Sequence, residues 1–165
     1  IELSVVDYTE NPGPRYIRQG DCSGEGFYVN VLNKVFAKCI EEDKKLIVNL
    51  DGASGYPSSF LDEAFGELVY DYSLLEVKKR VVFVTTMFRK RKEQVENETY
   101  VQWEKKRNRK LAIERSADTG TKFYFLNNKH ELKERTINAT SKLQGNNIGN
   151  LLKNRDNIIA PPYSI

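Results

Sequence analysis

The sequence is poor in the residues that build most catalytic and metal centres. It has one histidine and two cysteines in 165 residues. The histidine, His130, stands in the polar stretch NNKHELKER, which favours a solvated side chain over a general base. Cys22 and Cys39 give neither a disulfide framework nor a metal-binding spacing, and Cys39 falls on the apolar face of a predicted helix. We therefore expect a non-catalytic protein with no metal ion and no cofactor.

Long apolar runs are also missing. No segment approaches the roughly 20 apolar residues that a membrane-spanning helix needs. Hydrophobic residues make up 39% of the chain and charged residues 30%, which is typical of an ordinary globular protein. The stretch DGASG lacks the Gly-Lys-Ser ending of a nucleotide phosphate loop. These absences, with the scarcity of cysteine, predict a cytoplasmic protein that does not contact membranes.

The formal net charge of +3 conceals an uneven distribution of charge along the chain. Residues 1–87 contain 9 Lys/Arg and 14 Asp/Glu, a net charge of −5. Residues 88–165 contain 17 Lys/Arg and 9 Asp/Glu, a net charge of +8. Such a division suggests two parts with different surfaces, which could attract each other within one chain or between the copies of a homo-oligomer.

Strand and helix patterns alternate through the first half. ELSVVD, KLIVNL and RVVFVTT read as short strands, and KLIVNL is so apolar that a sheet covered on both faces is expected. Helical spacing of apolar residues separates them, with Ser23 and Ser58 as expected N-caps. This order predicts an α/β domain over residues 1–118, with a parallel sheet and crossover helices.

The remainder predicts a basic helix and a mixed α/β extension over residues 119–165. Residues 88–115 lack Gly and Pro and carry 10 basic against 5 acidic residues, which indicates a helix, either continuous or in two pieces. TKFYFLNN alternates like a strand, and KHELKERTINATSKLQ favours a further helix.

A paired serine, Ser58 and Ser59, follows the Gly-rich loop DGASGYP and precedes an apolar helical stripe. In one interpretation Ser58 is an N-cap and Ser59 a first-turn hydroxyl, with Asp62 and Glu63 near the positive end of the helix dipole. In the other, the serines are exposed hydroxyls that a partner protein reads and modifies. The residues alone leave both interpretations open.

The run KLIVNLDGASGYPSSFLDEAFGELV resembles the signature of STAS domains, the fold of anti-sigma factor antagonists. It is closer still to the bacterial STAS-like domains of unknown function, in which a Gly-Pro-Arg segment precedes a Ser-Gly-Glu helix start. This chain has Gly13-Pro14-Arg15, Ser23-Gly24-Glu25 and the core motif over 57–66. The resemblance covers roughly residues 1–100. Pro57 and Phe60 stand where STAS proteins commonly have Asp and Gly.

The resemblance implies a STAS-like sheet and a regulatory switch. In the family a histidine-kinase-like ATPase phosphorylates the second serine of the pair, whose place Ser59 occupies, and a serine phosphatase reverses the step. Ser59 and Ser58 are thus the candidate phosphorylation sites, and a kinase-like ATPase is the expected protein partner. The predicted partner-binding residues lie around them: Tyr56, Pro57, Phe60, Asp62, Glu63 and Arg15.

An alternative function is nucleic-acid binding through the helix predicted over 88–115. Two basic clusters flank aromatic residues, and cations with aromatics are suited to phosphates and unstacked bases. Interleaved glutamates favour instead an ordinary solvated helix face. The candidate contacts are Arg89, Lys90, Arg91, Lys92, Trp103, Lys105, Lys106 and Arg107.

Overall fold

The computed structural model describes residues 1–138 and shows the predicted mixed α/β fold. Three parallel strands, β1 (Glu2–Ser4), β2 (Leu46–Asn49) and β3 (Val81–Val84), form a sheet in that order, and helices occupy the connections between them. Among the described residues no helix is both long and apolar enough to cross a membrane. The elements are β1 (Glu2–Ser4), α1 (Gly24–Phe27), α2 (Asn33–Glu42), β2 (Leu46–Asn49), α3 (Ser58–Tyr72), α4 (Leu74–Arg80) and β3 (Val81–Val84).

The expectation that β2 is covered on both faces is wrong. Val48 pairs in register with Phe83 of β3, and both side chains are buried beneath the helices. On the opposite face, Ile47, Val82 and Val84 are 37%, 43% and 48% exposed. Alternate residues of a strand point to opposite faces, so within residues 1–138 the helices lie on one side of the sheet only. The apolar residues of β2 on the other side are explained by strand propensity.

Two smaller predictions about the first helical segment are confirmed. Ser23 is the N-cap of α1, and its hydroxyl accepts a hydrogen bond from the backbone N–H of Gly26 at 2.9 Å. A π-helical turn over Tyr28–Leu32 joins α1 to α2. Cys39 on α2 is fully buried, as its position on the apolar face predicted.

The basic helix forms, but it is shorter than predicted. It consists of α5 (Arg89–Gln94), a π-helical turn (Val95–Thr99) and α6 (Tyr100–Asn108). Lys110 adopts a left-handed conformation (φ 54°), so the chain leaves the helix before residue 111. The following residues are not helical because Arg115 and Ser116 turn inward to bind buried acids.

Residues 129–138 do not form the predicted helix. β4 (Lys122–Leu126), which was predicted, pairs with an antiparallel β5 (Leu132–Thr136). Cross-strand pairing and burial of Phe125 and Ile137 outweigh the helical preference of KHELKER. The part of that expected helix beyond residue 138 lies outside the described residues.

The hairpin of β4 and β5 is fastened to the helices by Asn33. The Asn33 side-chain amide donates to the backbone carbonyl of Tyr124 at 2.8 Å, and its carbonyl accepts from the Tyr124 N–H at 2.7 Å. Phe123, Phe125 and Leu126 join the same core as the helices. The division of the chain at residue 118 stays a prediction, but residues on both sides of it share this core.

A glycine controls how closely the basic helix approaches α3. A Cβ built on Gly66 would lie 2.1 Å from Cε2 of Trp103, which is itself only 3% exposed. Any larger residue at position 66 therefore has to push α6 away from α3. The absence of a side chain at this position lets the Trp103 ring cover the middle of α3.

We expect Gly66→Ala to destabilise the protein by about 1–3 kcal/mol, since overpacking against Trp103 exceeds the gain in helix propensity. Urea unfolding followed by tryptophan fluorescence measures this difference. Gly55→Ala is the matched control, because a Cβ there would meet nothing within 4 Å. Equal stability of Gly66→Ala and the original sequence would contradict the close packing.

Candidate functional site

The loop between β2 and α3, residues 51–57, is called the serine loop here, and Asp51 fixes its start. The Asp51 carboxylate accepts hydrogen bonds from Thr85 Oγ1 at 2.6 Å, from the backbone N–H of Thr86 at 2.8 Å and from that of Met87 at 3.1 Å. These bonds lower the pKa of Asp51 to about 2, and the bond from Thr85 has the largest effect. Asp51 therefore ties the serine loop to the segment that follows β3.

Two aromatic residues fix the end of the loop from within. The Tyr56 hydroxyl donates to the carbonyl of Leu50 at 2.8 Å, and its ring meets Phe88 edge-on with centroids 4.9 Å apart. Phe60 is fully buried and stacks on Phe27 at 5.9 Å. Tyr56 (4% exposed) and Phe60 were predicted to contact a partner, and this is wrong, because the core already covers both rings.

The serine pair lies at the solvent-exposed start of α3. Ser58 is exposed, Ser59 is half-buried, and Pro57 before them is exposed. The prediction that Ser58 is the N-cap is wrong, because the extended backbone of Pro57 (ψ 138°) places the helix start at Ser58 itself, and no side chain caps the helix. Both serines therefore belong to the first turn, and the capping role does not account for them.

Arg15 reaches this turn from the loop that precedes α1. Its Nη1 donates to Asp62 Oδ2 at 2.8 Å and to Glu63 Oε1 at 3.0 Å. Asp62 is part-buried and also accepts from Thr99 Oγ1 at 2.9 Å. Glu63 is 1% exposed, so its predicted direct contact with a partner is wrong. The structure brings Arg15 and Asp62 together at the protein surface beside the serines.

A polar cleft separates the serine pair from the basic helix. Ser58, Arg15 and Asp62 line one side, and Glu98 and Gln102 lie on the other. The cleft has a volume of about 220 Å³. Ser59 is not part of its lining, so the two hydroxyls of the pair face different surroundings.

Behind the serine turn lies a network of buried charge that sequence reasoning missed. Arg115 binds Glu67 Oε1 at 2.6 Å and Asp71 Oδ1 at 2.7 Å, and both acids are fully buried. Glu25 accepts from the backbone N–H of Ser116 at 2.6 Å. Burial is the largest cause that raises the pKa of Asp71, and the Arg115 guanidinium opposes it.

The acids of this network that lie on α3 could have been recognised from their spacing in the sequence. Glu63, Glu67 and Asp71 are four residues apart, so they lie on one face of α3. That spacing marks a charged stripe beside the apolar one. The cation that binds these acids could not be predicted from their spacing, because Arg115 is 44 residues from Asp71 and was assigned to a solvated helix.

The candidate nucleic-acid contacts fall into two groups. Arg89, Lys90 and Lys105 are exposed, and Arg91, Lys92, Lys106 and Arg107 are half-buried. Trp103 is 3% exposed and donates from Nε1 to Asp62 Oδ1 at 3.3 Å, while Lys106 Nζ lies 3.9 Å from its ring centroid. The prediction that Trp103 contacts bases is therefore wrong, because α3 covers its ring.

The observed mixed α/β fold is consistent with a STAS-like domain. Residues 23–86 match the family described as a STAS-like domain of unknown function. The resemblance found in the sequence is therefore confirmed over these residues. A search of curated proteins found no match. A search of solved structures also found none. Within residues 1–138 no group of three or more His, Cys, Asp or Glu is placed to hold a metal ion.

We expect Arg15→Ala to destabilise the protein by about 1–3 kcal/mol, because Glu63 would keep its burial and lose its cation. Chemical unfolding at neutral pH measures the change. Arg18→Ala is the control, since the Arg18–Glu114 pair is more exposed, at 42% and 21%, and surface pairs contribute about 0–1 kcal/mol. A loss no larger in Arg15→Ala than in Arg18→Ala would show that Arg15 does not support the serine turn.

Proposed function

We propose that the protein is a non-catalytic regulatory module that docks on a protein partner through its serine face. The serine face consists of Pro57, Ser58, Ser59, Asp62 and Arg15. The observation that carries the proposal is the position of an exposed Ser58 and a half-buried Ser59 at the start of a helix whose remaining turns are largely buried. A surface of this kind can be read or modified without disturbing the core behind it.

Phosphorylation of a serine in this face is the proposed control. A phosphate adds about −1.5 to −2 charges at neutral pH. The helix start, which no side chain caps and which lies at the positive end of the helix dipole, tolerates that charge within the protein. An acidic or apolar partner surface does not tolerate it, so the modification releases the partner while the domain stays folded.

The choice of Ser59 as the modified residue rests on the family resemblance, in which the second serine of the pair is the target. A histidine-kinase-like ATPase is the partner class that the same resemblance supports. Ser58 is the more exposed of the two hydroxyls and lines the polar cleft with Arg15. Both serines therefore belong in the test, and mapping of phosphate on the chain purified from its own cells separates them.

We expect Ser59→Asp to weaken binding of the partner by about tenfold or more, and Ser59→Ala to retain it. Ten-fold corresponds to about 1.4 kcal/mol of binding free energy. The full chain is used as bait, the captured proteins are identified by mass spectrometry, and the affinity of the recovered partner is then measured with the purified variants.

Ser54→Asp is the matched control, because Ser54 is exposed in the serine loop, a few residues before the start of α3. It adds the same charge a few residues away and should leave the affinity within about twofold. Equal affinity of the original sequence and of both Ser58→Asp and Ser59→Asp would contradict a phosphoserine switch. A partner whose binding is unaffected by Arg15→Ala and Pro57→Ala would contradict docking on the serine face.

Nucleic-acid binding through the basic helix is the alternative, and the exposed Arg89, Lys90 and Lys105 are what support it. Lys92 already pairs with Glu96 at 3.9 Å, and Arg91 donates to Gln94 at 2.9 Å. Binding by cations alone should weaken steeply with salt, with a slope near −0.9 per phosphate neutralised on B-DNA. Binding to DNA that has this slope and is lost on replacing Arg89 and Lys90 would favour the alternative.

A further inference from the structure

The buried face of α3 carries more acid than the cations around it neutralise. Glu63, Glu67 and Asp71 are at most 1% exposed, and Glu25 from α1 adds a fourth buried carboxyl group. Arg15 from the first loop and Arg115 from the segment after α6 are the cations that bind α3 directly. Tyr16, Tyr28, Tyr72 and Arg135 also interact with these acids.

Glu63 and Glu67 have the same incomplete arrangement of hydrogen bonds. Glu63 Oε1 accepts from Arg15 at 3.0 Å, and Glu67 Oε1 accepts from Arg115 at 2.6 Å. The second oxygen of each, Oε2, is buried, and no N–H or hydroxyl group within residues 1–138 donates a hydrogen bond to it. A buried oxygen without a partner costs about 1–3 kcal/mol, and more when it carries charge. The two residues are one helical turn apart, so their carboxyl groups are neighbours.

We infer that Glu63 and Glu67 form a buried proton-binding site, in which one proton is shared between their two Oε2 atoms. The proton is bonded to Glu67 Oε2 and is donated to Glu63 Oε2. Glu67 Oε1 is then a carbonyl oxygen that accepts from Arg115, and Glu63 remains a carboxylate that accepts from Arg15. One proton thus provides partners for both orphan oxygens and leaves the pair with a single negative charge.

The directions of the pKa shifts agree with this arrangement. Burial, the largest cause, raises the pKa of Glu63 from 4.5 to about 7 and raises that of Glu67 well above 4.5. The hydrogen bond between the two groups lowers the pKa of Glu63 and raises that of Glu67, as it must if Glu67 donates. Glu25 raises the pKa of both.

The shared proton makes the stability of the fold depend on pH in a definite direction. Since the pKa values are higher in the folded than in the unfolded chain, the folded protein binds more protons above about pH 4.5. The stabilisation is complete below that pH and is lost as pH rises, through about 7 for Glu63 and through the raised pKa of Glu67 for the shared proton. For each extra proton that the folded state holds, the unfolding equilibrium constant rises about tenfold per pH unit. The site adjoins Arg15, so loss of the proton changes the charge next to the serine face.

The test compares unfolding of the full chain between pH 5 and pH 8 with that of E67Q. In E67Q the side-chain amide supplies an acceptor for Arg115 and a donor for Glu63, with no proton to lose. The unfolding equilibrium constant of the original sequence should rise steeply with pH. In E67Q we expect a shallower rise, with a factor per pH unit that is about tenfold smaller. Glu41→Gln, at an exposed position of α2, should leave the rise unchanged. An unfolding constant that is independent of pH in the original sequence, or equally dependent in E67Q, would overturn the inference.

A second measurement does not depend on the folding of a variant. Carbon-13 NMR of the glutamate carboxyl groups in the original sequence reports the protonation of each residue directly. We expect one glutamate to show the chemical shift of a protonated acid at pH 7 and a second to titrate near that pH. A spectrum in which every glutamate is ionised at pH 7 and titrates near its ordinary value would overturn the proposed proton site.

Discussion

A helix that is buried along nearly its whole length must find a partner for every charge it carries, and α3 carries three buried acids. Arg15 and Arg115 are the cations that bind these acids, and neither belongs to the segment that the family describes. The STAS-like segment over 23–86 therefore depends on the loop before it and on the chain after the basic helix. Arg115 also lies over the ring of Phe123, with 4.3 Å to the centroid, so the same cation links α3 to the hairpin.

This network explains why the serine face is rigid. Arg15 donates hydrogen bonds to Asp62 and Glu63, and Thr99 donates one to Asp62. Trp103 packs against Gly66, one turn further along. The first turns of α3 are thus held by two separate parts of the chain, the loop before α1 and the basic helix, while Ser58 stays exposed. A partner that docks there meets a preformed surface and loses little affinity to ordering it.

The sequence predicted what local patterns determine. The parallel strands, the Ser23 cap and the helix beginning at the serine pair follow from periodicity and from preferences of single residues. The failures have tertiary causes. β5 forms where local preference favours a helix, since pairing with β4 buries Phe125. Trp103 was read as a surface aromatic because nothing local reveals that Gly66 lies opposite. The buried acids on α3 gave a visible spacing, but their partner Arg115 is joined to them only by the fold.

Amide hydrogen exchange, read residue by residue along α3, tests most directly whether a rigid buried helix presents an accessible start. The account predicts that amides from Ala64 to Tyr72 exchange only through global unfolding, while those of Ser58 and Ser59 exchange at least a hundredfold faster, by order of magnitude. Exchange of the whole helix at the rate of exposed loops would contradict it. Equal protection of the two serine amides and the helix centre would contradict it as well, since the proposed docking surface would then be closed.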